Sequence, residues 1–225
     1  MHCVVTAGPA YESLDEVRRL TNFSTGRSGT ELAAYLILAG HPVTLLRGQA
    51  SIHRELPPGV EMREFTSAAD LGSQLEALAG SKVGAVFHAA AVSDFGVGKT
   101  WRRMKDGTLV PVTGAKHDSR AGPLLLELVP LPKIIRRLRD WFPSATLVGW
   151  KYELEGDRAS ALERGGQQKR ENRLDACIVN GRAYGEGYGV CGKDSAIRHL
   201  PDRAALFEEL LHLCHTGDGR GPPSP

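Results

Sequence analysis

Over its first 150 residues the chain alternates short apolar runs with segments whose apolar residues recur every three or four positions. That is the pattern of parallel strands joined by crossover helices. Cys3, Val4, Val5 and Thr6 predict a buried strand that enters the loop Ala7-Gly8-Pro9-Ala10. Residues 29–39 carry Leu32, Ala33, Leu36 and Ile37 on one helical face; Gly40 stops this helix and His41-Pro42 lead into a strand at 43–46. Pro57, Pro58 and Gly59 turn the chain into a strand of alternating polarity at 60–65. Thr66 or Ser67 then caps a helix with Leu71, Leu75 and Leu78 on one stripe. Residues 83–92 are almost continuously apolar, which predicts a central strand buried on both faces.

The rhythm breaks at 95–123, where Gly96, Gly98, Gly107, Gly114 and Gly122 punctuate a basic stretch with a brief apolar pulse at Leu109 and Val110. A mobile loop or small β-arm is expected there. Regularity returns with residues 124–129, a helix bearing Ile134, Ile135, Leu138 and Trp141, and a strand at 146–150. A basic helix at about 157–172, a buried strand at 176–179, a hairpin at 188–190 and 197–200, and a last helix at 202–214 follow. Residues 216–225 read as a disordered tail. The expected fold class is α/β: a Rossmann-like, mostly parallel open sheet with helices on both faces, a flexible loop or β-arm and a C-terminal hairpin. Residues 1–215 form one domain in this reading, with 95–123 a flap or dimerisation arm within it.

A chain of 225 residues buries enough surface to fold without disulfides or metal. Lys plus Arg number 28 against 26 for Asp plus Glu, leaving +2, which excludes a general nucleic-acid or membrane binder. Any anion site must therefore be local. Cys3, Cys177, Cys191 and Cys214 form no CxxC pair, so a structural zinc site is not expected, and Cys3 and Cys177 read as buried small hydrophobes. No basic leader and no apolar stretch of the ~20 residues a membrane span needs is visible. A reduced, cytoplasmic protein is the expectation.

The richest local signal is Leu20-Thr21-Asn22-Phe23-Ser24-Thr25-Gly26-Arg27-Ser28-Gly29, just before the first amphipathic helix. Glycines, small hydroxyls and a free helix N-terminus are what an anion site needs, and Arg18, Arg19 and Arg27 add charge. The plainer alternative is a loop whose Ser and Thr only cap the helix. A dinucleotide fingerprint is absent after the first strand, and Gly96-Val97-Gly98-Lys99-Thr100 lacks the leading glycine and following apolar helix of a P-loop. No G-x-S-x-G elbow supports a serine hydrolase. At the end of the apolar strand, Ala89, Ala90 and Ala91 let a flat ring lie against backbone and Asp94 accepts from a sugar or ring amine; tight packing beside a surface aspartate fits equally well. His88 reads as a satisfied core histidine. Lys169 and Arg173, i,i+4 on one helical face, fit a polyphosphate clamp or ordinary surface, and Trp150 fits base stacking or core packing.

Together these segments resemble phosphopantothenate–cysteine ligase (phosphopantothenoylcysteine synthetase) of coenzyme A biosynthesis, in its stand-alone form without a flavin-binding decarboxylase domain. The stretches that carry the resemblance are Val5-Thr6-Ala7-Gly8-Pro9, Asp15 to Asn22 with Ser24-Thr25-Gly26, Ala89 to Asp94, and Lys116-His117-Asp118-Ser119. Pro130-Leu131-Pro132-Lys133-Ile134, Val148-Gly149-Trp150 and Ile178-Val179-Asn180 continue it. The resemblance implies a two-step reaction: the 4′-phosphopantothenate carboxylate attacks the α-phosphate of a nucleoside triphosphate, and the L-cysteine amine then displaces the nucleotide. It implies CTP as co-substrate with ATP as the alternative, Mg²⁺ accompanying the nucleotide, no flavin, and a homodimer. Neither nucleic acid nor membrane is an expected partner.

By the same resemblance Asn22, Arg18 and Lys116 are the catalytic candidates. Gly8, Ser24, Thr25, Gly26, Ala90, Asp94, Lys116, Trp150, Lys169, Arg173 and Asn180 are the nucleotide-binding candidates, and no residue is assigned to a metal. Gly181 stands where many relatives carry aspartate. The rival readings are a nicotinamide-dependent reductase on a Rossmann-like sheet and a non-catalytic nucleotide-binding module.

Overall fold

The computed structural model describes residues 1–55, 58–114, 117–192 and 196–217. The first strand, β1 (His2–Ala7), is followed by a hairpin of β2 (Tyr11–Ser13) and β3 (Arg19–Thr21), which the sequence pattern did not announce. Then come α1 (Arg27–Leu38), β4 (Val43–Gly48), β5 (Glu61–Phe65), α2 (Ala68–Ala77) and β6 (Val83–His88). An arm follows, made of β7 (Phe95–Arg103), β8 (Leu109–Pro111) and β9 (Leu124–Pro130). The chain returns through α3 (Leu138–Trp141), β10 (Thr146–Tyr152), α4 (Arg158–Glu171) and β11 (Ala176–Asn180), and closes with β12 (Tyr188–Cys191), β13 (Ile197–Leu200) and α5 (Arg203–Gly217).

The main sheet runs β13-β12-β11-β10-β6-β1-β4-β5. Pairings from β5 across to β11 are parallel, and β12 and β13 add an antiparallel edge. Counted in chain order, the parallel strands lie 3-2-1-4-5-6, the Rossmann-like arrangement. The order reverses between β1 and β6, and a crevice opens beyond the carboxyl ends of these two strands.

Alternation along the strands sends side chains to two cores. Cys3, Val5, Leu45, Phe87, Val148 and Ile178 meet Leu32 and Leu36 of α1 and Leu206 and Leu210 of α5. Val4, Leu46, Val86 and Leu147 meet Leu71 and Leu75 of α2 and Ile134 and Leu138 beside α3. Leu32 and Leu36 are fully buried, and each stabilises the fold by roughly 2 kcal/mol. They fix α1 against β1. Ser67 caps α2 by accepting from the Asp70 N–H, and Asp157 and Ser160 form a capping box on α4. All four cysteines are buried thiols.

Four expectations need correction. The strand expected over 83–92 is continuous only to His88: the Ala90 N–H turns to the Thr6 hydroxyl, and pairing with the β1 side resumes only as an isolated parallel bridge between Pro9 and Ala91. The arm, expected to end at 123, extends past it: Leu124–Pro130 pairs antiparallel with β7. The segment with Ile134 and Leu138 is a short 3-10 turn followed by one turn of α-helix, not a full helix. At the C-terminus α5 reaches Gly217, so residues 216 and 217 are helical; the remainder of the expected tail lies outside the described residues.

His88, as expected, is a core histidine. It is buried and shares a 3.0 Å hydrogen bond with the Thr6 hydroxyl, and burial lowers its pKa from 6.5 to about 4. The imidazole is neutral in the fold but titrates near 6.5 once unfolded. Its contribution is therefore whole above pH 6.5 and is lost as pH falls towards 4, by about 3 kcal/mol. Urea unfolding of His88→Gln across pH 4–7 should show a flatter acid limb than the parent; equal slopes would refute the assignment.

Candidate active site

A cavity of about 600 Å³ lies beyond the carboxyl ends of the central strands. Gly8 contributes from the end of β1, residues 22–29 from the turn into α1, Ala89–91 from the strip after β6, and Trp150, Tyr152, Leu154 and Asn180 from β10 and β11. Eight of the residues singled out from sequence line it together: Gly8, Asn22, Ser24, Thr25, Gly26, Ala90, Trp150 and Asn180.

Glycine makes this junction possible. Gly8 and Gly26 have φ of +80° and +77°, a conformation side chains resist. A Cβ on Gly29 would stand 2.6 Å from the Ala7 Cβ and 3.1 Å from the Thr6 carbonyl oxygen. The N-terminus of α1 thus rests directly on the end of β1. Its N-cap, Gly26, gives no side-chain cap, and no acidic residue occupies the first turn. The Arg27 N–H is met by the Thr25 hydroxyl at 3.2 Å. The next N–H groups, on Ser28 and Gly29, have no intrahelical partner by helix geometry and sit in the cavity wall. With the positive end of the helix dipole behind them, they make an anion cradle.

Asn22 is exposed at the rim, and its amide nitrogen donates to the carbonyls of Ala91 and Val92 at 3.2 Å each. These two bonds tie the α1 turn to the strip after β6 and leave the side-chain oxygen as the atom available to a ligand. The strip is held from below, where Ala90 N–H donates to the Thr6 hydroxyl at 3.1 Å. Trp150 does both things the sequence allowed: it packs on the α1–α5 core and lines the cavity. Phe23, wholly exposed, and Tyr152 and Leu154 form an apolar rim. Sequence reasoning passed over this rim, although Tyr152 and Leu154, at and just past the end of the strand that carries Trp150, sit where open α/β sheets place their ligands.

Several candidates lie elsewhere. Arg18 sits on the β2–β3 turn, 3.0 Å from Asp15 and donating to the His117 carbonyl at 2.6 Å, so it clasps the arm and does not line the cavity. Burial opposes ionisation of Asp15, but N–H donation from Val17, Arg18 and His117 and the Arg18 charge outweigh it and hold its carboxyl below the usual range. Lys116, next to His117, lies outside the described residues. Asp94 ion-pairs with Lys133 at the root of the arm. Arg19 lies over the Tyr11 ring at 4.3 Å.

Lys169 and Arg173 do not share a helical face: α4 ends at Glu171, and Arg173 has φ +52°. A crossover helix runs antiparallel to its strands, so the C-terminal end of α4 lies at the opposite end of the sheet from the cavity. Lys169 donates to the Gly192 carbonyl and Arg173 pairs with Asp140 at 2.5 Å. Gly181, with φ +109°, turns so tightly on Glu153 that a Cβ would stand 2.9 Å from the Glu153 nitrogen and closer still to its carbonyl oxygen. Backbone approach explains the glycine there.

The fold is an open, mostly parallel α/β sheet of Rossmann-like order with a crevice at its switch point. The model of the DNA/pantothenate metabolism flavoprotein C-terminal domain matches residues 1–206, and the chain belongs to that family. It is 30% identical over 226 residues to the coenzyme A biosynthesis bifunctional protein CoaBC of Bacillus subtilis, covering 94% of this chain and 50% of the relative. With the CoaBC of Thermococcus kodakarensis it shares 32% over 179 residues, 79% of this chain and 40% of the relative. The chain therefore spans about half the length or less of these curated relatives. Among solved structures, the DNA/pantothenate metabolism flavoprotein from Streptococcus pneumoniae superposes with a TM-score of 0.83 at 23% identity, covering 96% of this chain and 99% of that one. A mutant of Cab2 in complex with phosphopantothenate-cysteine superposes at 0.72 with 20% identity, covering 97% and 86%. These two likenesses show the fold.

Gly8→Ala should destabilise the protein by about 1–3 kcal/mol, since a Cβ there would overlap the Ser51 hydroxyl and the backbone is left-handed. Thermal unfolding checks this, and a variant as stable as the parent would refute the close-packed junction.

Proposed function

We propose that this chain is a phosphopantothenate–cysteine ligase, joining 4′-phosphopantothenate to L-cysteine through an acyl nucleotide, with CTP as the nucleotide and ATP as its competitor. The observation that carries the reading is the junction itself. The N–H groups at the start of α1 and a rim asparagine, anchored to the strip after β6, meet in one cavity at the switch point, which supports an anion-binding role.

In this reading the triphosphate lies at the α1 N-terminus, with the nucleoside along Ala89–91 and Trp150. The substrate carboxylate attacks the α-phosphorus and pyrophosphate leaves. Fixed N–H dipoles stabilise the charge that builds on the phosphoryl oxygens without reorganising. The cysteine amine then attacks the acyl carbon, the nucleotide departs and the amide forms. Asn22, held at two points, places its free oxygen beside the activated acyl group, and the apolar rim of Phe23, Tyr152 and Leu154 keeps water from the mixed anhydride.

No carboxylate lines the cavity, and no group of three or more metal-ligating side chains occurs among the described residues. A magnesium ion would be held by the nucleotide's own phosphates, as is usual for this cation, and no protein residue is assigned to it. The exposed Phe95, Leu126 and Leu128 of the arm support the homodimer reading.

Pyrophosphate release, measured with CTP, ATP, GTP and UTP in parallel, should require 4′-phosphopantothenate. It should be fastest with CTP and yield an amide only when cysteine is present; no release with any of the four refutes the proposal. Asn22→Ala should bind nucleotide within about threefold of the parent yet lose at least a hundredfold in amide formation. Loss of both together would confine Asn22 to shaping the loop.

A further inference from the structure

The segment that leaves β4, residues 48–53, lies behind the glycine turns and outside the cavity lining. It is anchored at both ends. Gly48 runs so close to Pro9 that a Cβ would overlap the Pro9 carbonyl, and the His53 N–H donates to the Thr25 carbonyl at 3.0 Å. Between these anchors Ser51 is 1% exposed, and its hydroxyl is buried with no hydrogen-bond partner among the described residues.

That hydroxyl fills the space the two turn glycines leave open. A Cβ on Gly8 would overlap it, and a Cβ on Gly26 would stand 2.7 Å from it and 3.3 Å from the Gly8 Cα. Gly8, Gly26 and Ser51 therefore meet at one point, with the oxygen occupying the side-chain space of both glycines. Leaving a buried hydroxyl without a conventional partner is unfavourable, so polar desolvation alone would favour alanine here and packing opposes it. Alanine would leave an oxygen-sized gap under two turns whose spacing aims the N–H groups of Ser28 and Gly29.

We propose that Ser51 is a positioning residue, a wedge that sets the separation of the Gly8 and Gly26 turns and so holds the triphosphate cradle in its binding geometry. The inference rests on the reading that this cavity takes a nucleoside triphosphate. The whole chain carrying Ser51→Ala, with Ser51→Cys as the space-filling counterpart, tests it by calorimetric titration with CTP and ATP, steady-state kinetics, and hydrogen exchange without ligand. Ser51→Ala should melt no lower than the parent, bind nucleotide about tenfold more weakly and raise the nucleotide KM with a smaller change in kcat. Ser51→Cys should recover most of the affinity. Amides at 24–29 should exchange at least tenfold faster in unliganded Ser51→Ala. Unchanged exchange there overturns the wedge whatever the titration gives, as does parental affinity in Ser51→Ala when the parent binds. A parent chain that binds neither nucleotide, with exchange accelerated as expected, overturns the reading of the cavity and leaves the wedge standing.

Discussion

The amino end of α1 rests on the carboxyl end of β1 with no side chain between them. Gly29 lies over Thr6 and Ala7, and the left-handed turns at Gly8 and Gly26 bring two loops together beside it. Leu32 and Leu36 supply the force that holds the helix down, and the glycines supply the room for it to descend. Because Gly26 provides no side-chain cap and no acidic residue occupies the first turn, the helix dipole faces the crevice where the strand order reverses. Each later feature of the site, from the Asn22 tether to the alanine strip, hangs on that approach.

Charge plays a smaller part than the sequence implied. Arg18, Arg19 and Arg27 cluster before α1, yet only Arg27 reaches the cavity wall, and it pairs with Glu31 at 2.5 Å. Arg18 clasps the arm through His117, and Arg19 covers Tyr11. The lining is dominated by backbone dipoles, hydroxyls and apolar surface, the combination that the proposed reaction, with its mixed anhydride, calls for. A net charge of +2 across the chain agrees with anion binding by local geometry.

Much of this was legible in the sequence. The parallel sheet could be read from apolar runs alternating with helical stripes, and the turn before α1 announced itself by donor-rich residue types in one stretch. Local pattern did not show direction or register. Residues 83–92 read as one strand because alanines are apolar, but the Ala90 N–H is taken by the Thr6 hydroxyl and the ladder with β1 is interrupted there, a long-range contact that local pattern does not carry. Regularity was expected to return at 124–129 after the arm, yet Leu124 to Pro130 is part of the arm, paired with β7 and largely exposed. Lys169 and Arg173 looked like a clamp because helical spacing ignores where a helix ends and which end of the sheet it faces. Ser51 carried no motif at all; only its position behind two glycines marks it.

The claim at the centre is that the α1 N-terminus is the seat of the triphosphate. A crystal structure with a nucleotide whose α–β bridge is a methylene tests it directly. Phosphate oxygens within hydrogen-bond distance of the Ser28 and Gly29 amides, with the nucleoside against Ala89 to Ala91, is the result the account predicts. A triphosphate seated instead in the basic groove of Lys133, Arg136 and Lys151, with those amides bare, would contradict it.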